Sequence, residues 1–131
     1  MKEFKEPRLK VLIVEDDQIA AYVAKMLMEK LFDIEIVNNG YDAIEAVIQN
    51  KYDLILMDIN LGDINMDGIK TMRAIRNLKN SQGIKIVALT VYNHSLQWFL
   101  DQGFDDLVRK PVVIEKLQNR ITGYQPNYRN N

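Results

Sequence analysis

Six polar side chains stand where hydrophobic runs of this chain stop. Glu15, Asp16 and Asp17 follow LKVLIV, Asp58 follows LILM, Thr90 ends IVALT, and Lys110 follows LVR. A carboxylate at the end of a buried run is costly unless a countercharge meets it. Carboxylates drawn together repel one another unless a hard cation sits among them, and oxygen ligands with room for water suit Mg²⁺ better than Zn²⁺. An aspartate beside such a cation can attack phosphorus and become an acyl phosphate. The charge on the transferred group then needs an ammonium and a donor, which Lys110 and Thr90 can supply. The chemistry written in these residue types is phosphoryl transfer, provided the fold brings them to one place.

The hydrophobic pattern alternates between two kinds of segment. Leu9–Val14, Ile34–Val37, Asp53–Met57, Ile84–Leu89 and Leu107–Arg109 are short runs fit for buried strands. Between them lie segments of helical spacing. Asp17–Leu31 carries Ile19, Val23, Met26, Leu27 and Leu31, and Tyr41–Gln49 turns Ala43, Ile44 and Val47 inward. Gly68–Asn80 turns Ile69, Met72, Ile75 and Leu78 inward. Ser95–Gln102 presents Leu96, Phe99 and Leu100 as a buried face with Trp98 off it, Gly103 closes it, and Val112–Ile121 is the last helix. Strands alternating with helices predict an α/β doubly wound sandwich, a parallel sheet with helices on both faces. In the order 2-1-3-4-5, the tips of strands one, three, four and five converge, and with them Glu15, Asp16, Asp58, Thr90 and Lys110. Asp53, Asp105 and Asp106 precede their strands and belong to the opposite rim.

Composition excludes several classes. The 131 residues suit one domain, and 17 basic against 18 acidic side chains leave a net charge of −1. No basic field draws the chain to nucleic acid or an anionic membrane. There are no cysteines, so thiolate metal sites and disulfides are excluded. The longest apolar runs fall well short of the ~20 residues of a membrane span, and the N-terminus lacks an apolar signal core, so the expected compartment is the cytoplasm.

Four motifs, VLIVEDD, LILMDI, IVALT and GFDDLVRKP, resemble in order and spacing the signatures of the response-regulator receiver domain. The resemblance runs from about Leu9 to Ile121. It implies the flavodoxin-like (βα)5 fold and the 2-1-3-4-5 order. It implies that Asp58 accepts a phosphoryl group from a phosphohistidine on a sensor histidine kinase or phosphotransfer protein. Mg²⁺ would be held by Asp16, Asp58 and the main-chain carbonyl of Asn60, with Glu15 acting through water. Thr90 and Lys110 would bind the phosphate, the Lys110–Pro111 bond would be cis, and a downstream protein would dock on the helix 4–strand 5–helix 5 face, where Leu107 and Trp98 are the candidate switch residues. Such a chain is a signalling acceptor that promotes only its own phosphorylation and dephosphorylation.

The sequence also departs from the family pattern. The position three before the lysine commonly holds Tyr or Phe, and here it is Leu107. Val91 follows Thr90 where a small residue is usual, and Phe104 stands where Ala is frequent. The stretch DINLGDINMDG is two residues longer than the common form and lacks its proline, which predicts a more flexible loop. Arg73, Arg76 and Lys79 read as a solvated helix face, His94 as surface, and Asp17 as a helix cap.

A phosphatase of the haloacid dehalogenase type shares an Asp nucleophile, Mg²⁺ and a parallel sheet. It wants D-x-D on its first strand, which neither VEDDQ nor MDINL supplies with a downstream acid pair. A flavodoxin-like cofactor binder wants a phosphate loop after strand one, where three carboxylates would repel the ligand. The expected organisation is an extension over residues 1–8, a receiver over 9–122 and a flexible tail over 123–131. No output module is expected after it, as in a stand-alone regulator or a receiver cut from a hybrid kinase.

Overall fold

In the computed structural model, which describes residues 8–121, every apolar run becomes a parallel strand. The elements are β1 (Lys10–Val14), α1 (Gln18–Met28), β2 (Asp33–Val37), α2 (Gly40–Gln49), β3 (Leu54–Asp58), α3 (Gly68–Arg76), β4 (Lys85–Thr90), α4 (Leu96–Gln102), β5 (Asp106–Arg109) and α5 (Ile114–Ile121). The strand order is β2-β1-β3-β4-β5, as expected from the sequence. The extension, apart from Arg8, and the tail over 123–131 lie outside the described residues.

Side chains alternate across the sheet and feed two cores. Leu12, Val14, Ile55 and Met57 pack with Ala43, Met72 and Phe99 under α2, α3 and α4. Val11, Ile13, Leu54 and Leu56 pack with Ala24, Met28, Leu117 and Ile121 under α1 and α5. Because β1 and β3 are buried on both faces, their runs are continuously apolar rather than alternating. The helix starts are fixed locally: Asp17, Asn39, Asp67 and Ser95 each accept a backbone N–H of the following turn. Gly103 ends α4 at φ +121°, a conformation that favours glycine. Gly68 is required by a close approach, since a Cβ there would lie 2.1 Å from the carbonyl oxygen of Asp58.

Two expectations are corrected, at α4 and at Arg76, and α1 buries a side that its apolar spacing does not mark. The α1 stripe does not face the core: Ile19, Val23, Met26, Leu27 and Leu31 are exposed, while Ala21, Ala24 and Met28 are buried. Small residues on the buried side let the helix sit close to the sheet, so hydrophobicity alone selects the wrong face. On α4 only Phe99 of the expected face is buried, and Leu96 and Leu100 stay exposed. Arg76 is not a merely solvated cation. It donates to the carbonyls of Ile84 and Gly103 and pairs with Asp105 at 2.6 Å, tying α3 to β4 and to the end of α4. The long β3–α3 loop is anchored as well, with Ile59 and Leu61 buried and Asn60 and Asp63 side chains accepting from the backbone of Gly62 and Asn65.

The inverted face of α1 has a direct check in denaturant unfolding. Met28→Ala, at a fully buried site, is expected to lose about 2–5 kcal/mol. Ile19→Ser, at a site 77% exposed, is expected to stay within about 0.5 kcal/mol of wild type. The reverse order would put the Ile19 side of α1 against the sheet.

Candidate functional site

The register of the sheet assembles the site. Val14 lies opposite Met57, Asp58 opposite Leu89 and Thr90 opposite Arg109, so four strands stop at one level. Asp58 and Thr90 are the last residues of β3 and β4, one position further into the ladder than the sequence suggests. Glu15 leaves β1 with its N–H bonded to the carbonyl of Val37, which continues the ladder by one step. Asp17 then caps α1 and is used structurally. Lys110 leaves β5 with its N–H on the Thr90 carbonyl, and its bond to Pro111 is cis.

Lys110 draws these tips together. Its Nζ lies 2.8 Å from Glu15 Oε2 and 3.0 Å from Asp58 Oδ2. Glu15 and Asp58 are buried, Asp16 is exposed beside them, and one carboxylate oxygen from each lies within 4.8 Å of the others. Burial, reinforced by the charge of Asp58, raises the Glu15 pKa above its usual value despite the bond from Lys110. Burial alone would lower the Lys110 pKa, but its bonds to Glu15 and Asp58 outweigh this and hold it above the usual value.

Three carboxylates against one ammonium leave two negative charges when all are ionised. That deficit, presented by hard oxygen donors, matches a divalent cation of the Mg²⁺ or Ca²⁺ type and offers nothing to a soft metal. The donors open on a cavity of about 330 Å³ that Asn60, Thr90 and Lys110 also line. Thr90 Oγ1 accepts the Tyr92 N–H at 2.8 Å, so one of its two lone pairs is tied to the β4–α4 loop. Val91 remains 74% exposed at the rim of the cavity.

The structure thus brings together Glu15, Asp16, Asp58, Asn60, Thr90 and Lys110. It does not bring Leu107 or Trp98 among them. Leu107 is buried in the core on the α4 side of the sheet. Trp98 is half-buried, packs on the same core, and stacks its ring on His94 at 4.0 Å. Two residues escaped the sequence reading. Tyr92 holds Thr90 and lines the cavity, and Gly62, at φ +74°, brings the loop against Asp16. The signal for Tyr92 was its place two residues past Thr90, within reach of a side-chain turn.

Comparison with known proteins bears on this arrangement. The family model for the response regulator receiver domain matches residues 11–122. The chain belongs to this family. The receiver domain is 36% identical over 115 residues to the response regulator ArlR of Staphylococcus saprophyticus, covering 86% of this chain and 50% of that protein. It is similar to the receiver domain of a Pseudomonas aeruginosa sensor histidine kinase solved with a magnesium ion in its active site cleft, at TM-score 0.79 and 27% identity, over 90% of this chain and 98% of that one. It is also similar to the receiver domain of a Saccharomyces cerevisiae response regulator co-crystallised with its histidine phosphotransfer protein, at TM-score 0.77 and 27% identity, over 90% and 89% of the two chains. The chain spans half or less of the length of the curated relatives it matches. Family and strand order decide for a two-component receiver with a flavodoxin-like fold, not for the dehalogenase-type phosphatase. Among the described residues no helix is long and apolar enough to cross a membrane.

The raised Glu15 pKa has a pH signature. A group whose pKa is higher in the folded chain contributes stability below its unfolded value and loses it as pH rises through the folded one. In the absence of divalent cations, the unfolding free energy of wild type minus that of Glu15→Gln is expected to fall as pH rises above about 4.5. A difference that stays flat or increases would contradict the burial of an ionisable Glu15.

Proposed function

We propose that this receiver domain takes a phosphoryl group onto Asp58 from a phosphohistidine and uses the modified state to change what it binds. The observation that carries the reading is the Lys110 ammonium held against both Asp58 and Glu15 at the strand tips, with Asp16 alongside. One oxygen of Asp58 attacks phosphorus while the P–N bond to the donor imidazole breaks, and the electron pair leaves with the imidazole. The other oxygen can stay with Lys110, which orients the attacking carboxylate. Lys110 and the Thr90 hydroxyl then offer a charge and a donor to the phosphoryl oxygens, since the Tyr92 N–H occupies only a lone pair of Thr90 Oγ1 and leaves its O–H to donate. Asp16, Asp58 and the Asn60 carbonyl would hold Mg²⁺, with Glu15 reaching it through water. The ion would supply the divalent charge that offsets crowding of phosphoryl oxygens against the carboxylates.

Asp58 is modified and not regenerated as part of a turnover on a separate substrate, so the role proposed is acceptor rather than enzyme. The donor proposed is a histidine kinase or phosphotransfer protein, in the cytoplasm. The exposed apolar stripe on α1 supports this. Val23 and Leu27 line a small cavity together with Glu15 and Lys110, which gives a helical donor an apolar foothold beside the acceptor.

Acetyl phosphate with Mg²⁺ is expected to add one phosphoryl mass to the intact protein, and chelation or Asp58→Asn to abolish the addition. Lys110→Ala is expected to slow labelling by about a hundredfold, the scale of losing an oriented electrostatic group. Undiminished labelling of Asp58→Asn would move the acceptor elsewhere.

A further inference from the structure

Asp58 and Asp16 are held in opposite ways. Both oxygens of Asp58 are bound, Oδ2 by the Lys110 ammonium at 3.0 Å and Oδ1 by the N–H of Asn60 at 3.2 Å. Asp16 is exposed and makes no hydrogen bond or ion pair among the described residues. Its carboxylate is met instead by the β3–α3 loop. The Asn60 side chain accepts the Gly62 N–H at 3.1 Å, and Gly62, at φ +74°, lies with its Cα against Asp16. A Cβ on Gly62 would stand 3.0 Å from Asp16 Oδ2 and 4.0 Å from its Cγ. The loop thus runs from the fixed acid to the free one, and Asn60, Gly62, Asp16 and Asp58 line the same cavity.

A carboxylate with no bond of its own takes the place its neighbours leave it. With a Cβ at position 62, the Asp16 carboxylate would have to give by a few tenths of an ångström. That shift is the size of the difference between two ions. Mg²⁺ demands a near-ideal octahedron with oxygens at about 2.0–2.1 Å, whereas Ca²⁺ accepts irregular shells at about 2.3–2.6 Å. We propose that Gly62 is a positioning residue for the divalent site. Its bare Cα keeps Asp16 where the smaller ion needs it, and the loop so sets a preference for Mg²⁺ over Ca²⁺. The proposal rests on the reading of Asp16, Asp58, Asn60 and Glu15 as the holders of Mg²⁺. The effect of a Cβ falls on the site and not on the fold, because the atom it meets is the free end of an exposed side chain. At Gly68 the same addition would strike the backbone of Asp58.

Calorimetric titration of the full chain with Mg²⁺ and, separately, with Ca²⁺ tests this. Gly62→Asn is the main variant, because asparagine accepts a left-handed backbone yet adds the Cβ. It is expected to weaken Mg²⁺ by about tenfold, the scale of losing a group that orients a metal ligand. Ca²⁺ should weaken by less than about threefold, since its shell tolerates a displaced oxygen. Gly62→Ala, which also strains the backbone, should show the same change in the ratio of the two affinities. Gly83→Asn, at φ +82° before β4 and at the far end of that strand from Thr90, should leave both affinities as in wild type. A general loss of structure would lower both ions together and leave the ratio unmoved. Equal losses for the two ions, or no loss for either, overturns the role of Gly62 and leaves the metal site standing. A changed ratio in Gly83→Asn assigns the effect to backbone strain and overturns it as well. Wild type that binds neither ion sinks the metal site and the proposal together.

Discussion

Lys110 carries a single positive charge into a nest of three carboxylates, and the electrostatics of the site follow from that imbalance. A buried Glu15 and a buried Asp58 would each be costly alone. One ammonium shared between them removes the worst of that penalty while leaving charge for a divalent ion to complete. The lysine is therefore a structural tie between β1, β3 and β5 at the rim of the cavity that the three acids line.

That tie is possible because the parallel ladder brings strands distant in sequence to a common edge. Glu15 and Lys110 are separated by 95 positions along the chain, yet their side chains bond at 2.8 Å. The precision comes from the packing below. Two cores clamp β1 and β3 from both sides, and a slip of one residue would exchange every inward side chain. The rim is then shaped by backbone rather than by side-chain chemistry. Gly68 lets α3 begin against the Asp58 carbonyl, and Gly62 folds the longer loop toward Asp16.

The region that would pass the signal onward is built differently from its chemistry. Leu107 fills its place in the core without a ring, whereas the aromatic side chains gather in and beside the β4–α4 loop. Tyr92 approaches His94 edge-on, and His94 stacks on Trp98. Arg109 fastens that loop to β5 through two carbonyls. Because Thr90 is bonded to the Tyr92 N–H, the loop is mechanically continuous with the hydroxyl that lines the cavity at Asp58.

Much of this was legible in the chain. Alternating apolar runs gave the α/β class, and residues at the run ends gave the membership of the site, because in a parallel sheet the end of a strand is a place in space. Capping residues announced the helix starts, since a cap acts within one turn. What the chain did not reveal were properties that depend on a partner element. The buried face of α1 is not marked by its apolar spacing, because small Ala21 and Ala24 lie against the sheet and no hydropathy pattern records closeness. Arg76 looked solvated because its acceptors, Ile84, Gly103 and Asp105, come from the segments that lead into β4 and β5. The sharing of Lys110 between two acids, and the Tyr92 bond that restrains Thr90, likewise exist only once the sheet is formed. Local chemistry is set by residue type and spacing; pairing, burial and the identity of the exposed face are set by what packs against them.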